Sequence, residues 1–166
     1  MRIRDSADSD IATISTIYGH SVTHGTASWE YDVPSVEEMA QRRETILVNG
    51  FPYIVAEIDG QLVGYAYAST YRARIGYRFT VEDSVYVAPG MEGRGIGRTL
   101  LDALIARCKL LGYRQMIAVI GDSDNIGSIR LHAACGFTRV GTFVGIGEKF
   151  GRVLDSVQMQ RPLVDG

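Results

Sequence analysis

Residues 81–105 read VEDSVYVAPGMEGRGIGRTLLDALI, and this stretch is the most informative about the fold. It begins within the alternating residues 80–87, which predict a strand with Glu82 and Tyr86 on one face. A glycine-rich turn, PGMEGRGIG, follows at 89–97, and an apolar stripe then predicts a helix. Because the first amides of a helix lack partners and its dipole favours negative charge, a strand, a glycine turn and a helix in this order predict an anion-binding site.

The turn does not match the two commonest phosphate-binding patterns. A Walker A loop places Lys and then Ser or Thr after its last glycine, whereas Ile96 and Gly97 follow Gly95 here. A dinucleotide-binding turn carries a third glycine or alanine where this chain has Leu100, and no acidic residue follows about 20 residues on to bind a ribose. The anion is therefore of another kind, and a purely structural turn remains the alternative.

The rest of the pattern predicts a mixed α/β (α+β) fold around one sheet and not a regular βαβ repeat. Ser35 and Glu38 form a capping box for a helix over 36–47, and Asp8 or Ser9 is the expected cap of an earlier helix. The predicted order is βααββββαβαββ, with the number of middle strands left open. The predicted strands are 2–4, 53–58, 62–69, 80–87, 116–120, 138–145 and 153–160, and a last helix starts at Asp124 or Asn125.

Length and composition limit the class of protein. The 166 residues, 18.2 kDa in mass, predict a single domain over residues 1–166. Hydrophobic residues make up 46% and charged residues 22%, which excludes a largely disordered chain. A net charge of −2 argues against a nucleic-acid partner, since such proteins are usually strongly basic. With no apolar run of roughly 18 residues and no signal-peptide pattern, we expect a cytoplasmic protein without a membrane partner.

Neither the histidines nor the cysteines predict a metal site. His20 and His24 have the i, i+4 spacing of a zinc pair, but no HExxH frame surrounds them and no third ligand is evident. Cys108 and Cys135 form no CxxC pair, and we interpret both as core residues.

The 81–105 stretch resembles the acetyl-CoA signature of the GNAT N-acetyltransferases, Q/R-x-x-G-x-G/A. Gly95 and Gly97 match this signature, whereas Glu92 stands at the Q/R position. Because a carboxylate is repelled by a pyrophosphate, we expect the Glu92 side chain to face solvent and backbone amides to supply the contacts. The resemblance implies the GNAT fold, a central, mixed and mostly antiparallel twisted sheet flanked by helices.

The likeness extends over almost the whole chain and is most specific for the phosphinothricin and methionine sulfoximine N-acetyltransferases. One departure is Val153, where those proteins usually carry a tryptophan in GRWxD, and we expect it to alter packing at the tail or the pocket wall. The stretches that carry the likeness are IYGHSV (17–22), GTASWE (25–30), PYIVAEIDGQLVGYAYA (52–68), YRARIGYRFTVEDSVYV (71–87), NIGSIRLHAACGF (125–137) and GIGEKFGRVLDSVQMQRPL (145–163).

The resemblance implies acetyl-CoA as the co-substrate and no metal. A backbone amide near Val87 is expected to stabilise the thioester carbonyl as it gains charge. Helix capping alone would also explain Asn125. The residues implied to bind acetyl-CoA are Val85, Tyr86, Val87, Gly93, Arg94, Gly95, Ile96, Gly97, Arg98, Asn125 and Ser128.

Acetyl transfer to an amine needs a group that takes the amine's proton, because free amines have pKa values above about 7. Glu82 is the candidate base, since it lies on the face of Tyr86 and matches a pocket glutamate in the TVE segment of the family. A solvated or salt-bridged glutamate is the alternative. The candidates that protonate the departing sulfur are His132, which matches an LHE segment, and Tyr86. Packing near the co-substrate or in the core is the alternative for these two.

Arg72 and Arg74 precede the Glu82 strand, and guanidinium groups bind carboxylates and phosphinates through two hydrogen bonds. They predict a zwitterionic amino acid with a polar or anionic side group as substrate. Trp29 and Glu30 are expected to close over the pocket, and Glu30 is expected to bind the substrate ammonium. The alternatives are a core aromatic for Trp29 and a solvated charge for Glu30. Three tail residues serve either an ion-pair network or a ligand contact: Lys149, Arg152 and Asp155.

We therefore expect an acetyl-CoA-dependent N-acetyltransferase that acts on the α-amine of a small amino-acid analogue. Phosphinothricin, methionine sulfoximine and methionine sulfone are the expected substrates, and direct attack in a ternary complex is the expected mechanism. The resemblance also implies a homodimer. The alternatives are an acetyltransferase for a protein N-terminus or lysine, and a CoA-binding sensor without catalysis.

Overall fold

The computed structural model describes residues 1–164, and within them the chain forms one seven-stranded sheet and four α-helices. The elements are β1 (Arg2–Asp5), α1 (Ile11–His24), α2 (Val36–Val48), β2 (Tyr53–Ile58), β3 (Gln61–Thr70), β4 (Thr80–Val87), α3 (Ile96–Leu110), β5 (Gln115–Gly121), α4 (Ile126–Ala134), β6 (Thr138–Lys149) and β7 (Arg152–Pro162). The strands lie in the order β1-β2-β3-β4-β5-β7-β6, and every neighbouring pair is antiparallel except β4 and β5. The predicted mixed, mostly antiparallel sheet is confirmed.

The middle of the chain differs from the predicted order. Three strands, β2, β3 and β4, lie between α2 and α3, where the predicted order had four with their number left open. The connection 71–79 between β3 and β4 contains one short 3-10 turn, Ile75–Tyr77. Its side chains are almost all exposed, so this segment offers no buried face on which a strand could pack.

Two of the three predicted helix caps are present in the structure. The Ser35 hydroxyl accepts a hydrogen bond from the amide three residues on at 3.1 Å, which confirms the predicted cap of α2. Asn125, and not Asp124, caps α4 through a 3.2 Å hydrogen bond. Asp8 and Ser9 do not cap α1, because they lie in a separate 3-10 turn before it, and the N-cap residue of α1, Asp10, makes no capping hydrogen bond with its side chain.

The two faces of the sheet pack against different helices. α3 covers one face with buried apolar residues such as Leu100, and the free cysteines Cys108 and Cys135 are buried in the same core, as predicted. α1 and α2 cover the other face, where the rings of Tyr65 and Tyr86 stack with centroids 5.0 Å apart. No helix within residues 1–164 has the length and apolar character of a membrane span.

β4 and β5 separate in the middle of the sheet. Their parallel pairing covers only Thr80–Glu82 of β4. β4 stays paired with β3 up to Val87, and β5 stays paired with β7 up to Gly121. A gap therefore opens between their second halves, and the helices that follow these strands, α3 and α4, begin at its mouth.

Candidate active site

The glycine-rich turn lets three elements approach closely. Gly93 and Gly95 have φ angles of 74° and 79°, a left-handed region that glycine adopts without strain. α3 begins at the next residue, so the amides of its first turn have no partner within the helix. A Cβ atom at Gly97 would lie 3.2 Å from the Leu131 side chain of α4 and 3.6 Å from the Val87 side chain of β4, so a larger residue would crowd these two side chains.

A cleft of about 890 Å³ runs past this turn, between β4 and the first turns of α3 and α4. Residues 24–27, which end α1 and continue beyond it, form another part of its wall. Every residue that the sequence implied for acetyl-CoA binding lines the cleft except Arg94, which is exposed outside it. Free helix amides, apolar surface and the side chains of Arg98 and Arg130 fit a ligand with an extended arm and phosphate groups.

Glu92 differs in part from its expected position. Its side chain is exposed, as the sequence analysis anticipated. The residue also belongs to the wall of the cleft. Its negative charge therefore lies near the place where an anionic ligand would bind.

A second cavity, of about 140 Å³, lies inside the gap between β4 and β5. The gap passes through the sheet, so residues from both faces of β4, including Glu82 and Asp83, line it. Six residues line both this inner cavity and the cleft: Ala27, Val85, Tyr86, Asn125, Ser128 and His132. A small molecule in the inner cavity would therefore lie beside the end of a longer ligand in the cleft.

Glu82 has the protonation behaviour of a base at neutral pH. Burial, together with the neighbouring Asp83 carboxylate, raises the pKa of Glu82 to about 7. No cation within residues 1–164 offsets this shift. A carboxylate with such a pKa is partly ionised at neutral pH and binds a proton well enough to take one from an amine.

His132 of α4 is buried against Asp83 of β4, with its Nε2 atom 3.0 Å from the carboxylate oxygen. Its Nδ1 atom lies 2.7 Å from the carbonyl oxygen of Ser128. A carbonyl oxygen and an ionised carboxylate both accept hydrogen bonds, so this arrangement favours a proton on each ring nitrogen and hence the imidazolium form. Burial by itself would lower the pKa of His132, but the hydrogen bond and the charge of Asp83 outweigh it and raise the pKa.

Tyr86 lines both cavities and is held by other tyrosines. Its ring meets that of Tyr18 edge-on, with centroids 5.3 Å apart, and stacks on Tyr65. Burial, followed by the nearby tyrosines, raises the pKa of Tyr86 well above its ordinary value. The phenol therefore stays protonated at neutral pH and can donate a hydrogen bond.

Trp29 and Glu30 lie beside the site but line neither cavity. The Trp29 ring packs on β6 so closely that a Cβ at Gly147 would lie 2.5 Å from it. The Glu30 carboxylate accepts hydrogen bonds from Arg42 at 2.7 Å and from the Tyr18 hydroxyl at 2.9 Å. Both Glu30 oxygens are thus engaged inside the protein, whereas the sequence analysis expected them to bind an ammonium group.

Arg72 and Arg74 are not brought into either cavity. Both are exposed on the 71–79 connection. This connection leaves β3 beside Glu82, because Ser69 of β3 pairs with Glu82 of β4. The two arginines therefore belong to a connection that begins at the end of the β3–β4 pair where the candidate base lies.

The tail residues form a local network. The Arg152 guanidinium lies 3.2 Å from a carboxylate oxygen of both Asp122 and Asp124. Asp155 accepts a 2.6 Å hydrogen bond from the Ser123 hydroxyl. Arg152 therefore forms the ion pairs of one alternative but also lines the cleft, whereas Asp155 is held by hydrogen bonds and forms no ion pair within residues 1–164.

Sequence reasoning missed Asp83 and the wall formed by residues 24–27. Asp83 is predicted on the same strand face as Val81 and Val85, and a charged residue on an apolar face is a signal that could have identified it. Residues 24–27 carry no comparable signal, since distant parts of the chain place them.

Comparison with known proteins agrees with this geometry. Residues 20–137 match the acetyltransferase (GNAT) family. The chain is 54% identical over 164 residues to the phosphinothricin N-acetyltransferase of Alcaligenes faecalis, which covers 99% of this chain and 83% of the relative. It is 40% identical over 163 residues to the L-methionine sulfoximine/L-methionine sulfone acetyltransferase of Salmonella typhimurium, with 98% and 95% covered.

A solved structure shows the same fold. The GNAT superfamily phosphinothricin acetyltransferase from Sinorhizobium meliloti, in complex with acetyl-CoA, has a TM-score of 0.94 and 49% identity to this chain. The likeness covers 97% of this chain and 87% of that one. The chain thus has this sequence identity over nearly its full length and also has the glycine turn, the gap in the sheet and the cleft. The chain is an N-acetyltransferase and belongs to the phosphinothricin and methionine sulfoximine N-acetyltransferase family of the GNAT superfamily.

Proposed function

We propose that the protein transfers the acetyl group of acetyl-CoA to the α-amine of phosphinothricin, methionine sulfoximine or methionine sulfone. The observation that carries the proposal is Glu82, a carboxyl with a pKa of about 7 in a cavity that shares its wall with the cleft at the glycine turn. The activities named for the relatives support the substrate class.

Glu82 is the proposed base of a direct transfer. When bound, acetyl-CoA supplies an activated acetyl thioester. Glu82 accepts the proton that the substrate amine loses as its nitrogen attacks the thioester carbonyl carbon. The C–N bond forms, the C–S bond breaks, and the departing sulfur takes up a proton. No covalent enzyme intermediate is needed.

A backbone amide of β4 is the proposed donor to the carbonyl oxygen. The Ala88 amide donates to the Val63 carbonyl oxygen of β3 at 2.9 Å. Successive amides of an extended strand point in opposite directions, so the Val87 N–H points into the gap. There it can stabilise the carbonyl oxygen as negative charge develops on it.

We propose different tasks for His132 and Tyr86. Both N–H groups of His132 are already engaged by Asp83 and the Ser128 carbonyl, so its task is to stabilise the departing thiolate by positive charge. Tyr86 keeps its phenolic proton at neutral pH and lines both cavities, which makes it the proposed proton donor to sulfur.

Arg72 and Arg74 are the proposed partners of the substrate carboxylate. Their exposure on the 71–79 connection leaves the guanidinium groups open to a ligand that enters beside Glu82. A direct contact of Trp29 or Glu30 with the substrate stays a prediction.

The test is CoA release from acetyl-CoA, followed with a thiol reagent. We expect fast release with L-phosphinothricin, L-methionine sulfoximine and L-methionine sulfone. An analogue that lacks the α-carboxylate is expected to react poorly, because it offers the arginines no anion. Release with a peptide or a polyamine but not with the three amino-acid analogues would contradict the proposed substrates and support a protein or polyamine acetyltransferase. Tight acetyl-CoA binding without release for any amine would favour a sensor.

Glu92→Gln is expected to strengthen acetyl-CoA binding, because Glu92 is an exposed carboxylate in the wall of the cleft. Calorimetry should show a Kd about two- to fivefold lower than that of the wild type, with the gain shrinking as salt rises. Glu44→Gln is the matched control, since Glu44 is exposed on α2 and lines neither cavity. An unchanged Kd would mean that the Glu92 carboxylate does not act on the bound phosphates.

We also propose a homodimer in which a second copy covers the outer end of the sheet. β6 is a 12-residue edge strand, and edge strands with exposed apolar side chains are prone to pair with another chain. Sedimentation equilibrium should give twice the mass of the chain, and a monomer at working concentration would contradict the proposal. The large exposed apolar residues of β6 and β7 are Val140, Phe143, Val144, Ile146 and Val153.

We propose a cytoplasmic location. Both thiols, Cys108 and Cys135, are free and buried, as is usual in a reducing compartment. Fractionation of cells that express the chain tests this location, and recovery in the periplasm or the membrane would contradict it.

A further inference from the structure

Lys149 is a buried lysine whose ammonium group donates to carbonyl oxygens and, within residues 1–164, forms no salt bridge, although the charge of the Glu30 carboxylate lies near enough to act on it. It ends β6 and has no exposed surface. Its Nζ atom donates to the carbonyl oxygens of Gly25 at 2.9 Å and Ser28 at 2.5 Å. Burial lowers the pKa of Lys149 from its ordinary value. A buried charge is unfavourable unless it is paired, so a lysine at this position needs an explanation beyond packing.

The two carbonyl oxygens belong to the segment 25–28. Gly25 is the C-cap of α1, where unpaired carbonyl groups and the helix dipole concentrate negative charge. A cation is favourable at this helix end, and it draws the segment onto the end of β6. Gly25 and Lys149 lie 124 residues apart in the chain, so the contact joins two distant parts of the fold.

The segment 25–28 is also a wall of the site. Gly25, Thr26 and Ala27 line the cleft, and Ala27 lines the inner cavity as well. On its other side the segment lies against β5, where a Cβ at Gly121 would collide with the Thr26 carbonyl oxygen. The position of the wall is therefore set by β5 on one side and by the bonds to Lys149 on the other.

Phe150 provides an independent sign that the ammonium group matters. Its φ angle is 55°, in the left-handed region where a bulky residue is strained. The residue as a whole is 55% exposed, so burial does not explain the choice of an aromatic residue. The ring centroid lies 4.9 Å from the Lys149 Nζ atom, which is a cation–π contact.

We propose that Lys149 is a positioning residue for acetyl-CoA: it holds residues 25–28 in the conformation that forms one wall of the cleft and thereby sets the affinity for acetyl-CoA. The inference rests on the proposed acetyl-CoA site and goes beyond it, because Lys149 itself lines neither cavity. The segment reaches the inner cavity only at Ala27, whereas Glu82 and His132 lie on β4 and α4, so we expect the lysine to act on acetyl-CoA binding far more than on the chemical step.

Lys149→Met keeps the length of the side chain and removes the ammonium group. Calorimetry with acetyl-CoA should give a Kd about tenfold higher than that of the wild type, as expected when hydrogen bonds from a charged donor are lost. The kcat at saturating acetyl-CoA should stay within about twofold of the wild type, which separates positioning from catalysis. Hydrogen exchange of the 25–28 amides should become faster, whereas exchange in β4 and α3 should not change.

Lys109→Met is the matched control, because the chain's other lysine is exposed on α3. It should change neither the Kd nor the exchange of the 25–28 amides. Lys149→Gln retains N–H donors without the charge, so its Kd should lie between those of the wild type and K149M. It also serves as the test if K149M does not fold. Unchanged Kd and exchange would overturn the inference, whereas a wild-type protein that fails to bind acetyl-CoA would overturn the proposed function.

Discussion

Glu82→Gln is expected to lower kcat for the amino-acid substrate by about 10²–10³-fold at neutral pH, the usual contribution of a general base. The amide has the shape of the carboxylate but cannot accept the proton that the attacking amine loses. The Kd for acetyl-CoA, measured by calorimetry, should stay unchanged, because Glu82 lines the inner cavity and not the cleft. Glu44→Gln, on the exposed face of α2, should change neither quantity.

The pH profile distinguishes a base from a structural glutamate. Because the pKa of Glu82 in the folded protein is about 7, kcat/KM of the wild type should rise through about pH 7 and then level off. E82Q should lack this rise. Wild-type activity in E82Q, or a profile that keeps the rise, would contradict the assignment of Glu82 as the base.

The same substitution should stabilise the fold at alkaline pH. Burial and the Asp83 charge raise the pKa of Glu82 from 4.5 to about 7, so the folded state binds this proton more tightly than the unfolded state does. The resulting stabilisation is complete below about pH 4.5 and is lost as the pH rises through about 7. The Tm of E82Q should therefore exceed that of the wild type at roughly pH 8, and the difference should vanish near pH 5.

Asp83→Ala is expected to lower the free energy of unfolding by about 3 kcal/mol, because it leaves the buried His132 without its counter-ion. For a chain of this length, that loss corresponds to a fall in Tm of roughly 10 °C. Asp102→Ala is the matched control. Asp102 lies 3.7 Å from Arg98 on the exposed face of α3, and an exposed pair of this kind contributes less than about 1 kcal/mol.

Asp83→Asn separates the charge of this site from its hydrogen bonds. The amide can donate to a neutral His132 Nε2 atom while Nδ1–H still donates to the Ser128 carbonyl oxygen. We therefore expect a loss of stability about half that of D83A, together with a fall in kcat of about tenfold if the imidazolium stabilises the thiolate. An unchanged kcat would contradict the electrostatic task proposed for His132.

The pH dependence of stability tests whether His132 is charged. Its pKa is raised in the folded protein, so the stabilisation is complete below its ordinary pKa of 6.5 and is lost as the pH rises through the folded value. The difference in Tm between the wild type and D83N should therefore be largest at mildly acidic pH and should shrink towards roughly pH 9. A difference that is constant with pH would contradict an imidazolium.

Local patterns predicted the elements that short-range physics controls. The alternation of 80–87, the glycine turn and the apolar stripe of α3 each depend on residues close together in the chain, so strand, turn and helix were predicted in the right order. The Ser35 cap was predicted for the same reason, since its partner amide is three residues away. The residues that the family motifs predicted for acetyl-CoA line the cleft, with Arg94 as the exception, and all but Asn125 and Ser128 belong to this stretch.

The remaining features depend on long-range packing. They are contacts between groups far apart in the chain, and local sequence periodicity does not predict such contacts. Asp83 and His132 are 49 residues apart and meet only because β4 and β5 separate and α4 closes over the gap. Burial in that gap is also what raises the pKa of Glu82. The contact between Lys149 and residues 25–28 depends on the arrangement of the whole sheet, since β6 is joined to β5 only through β7.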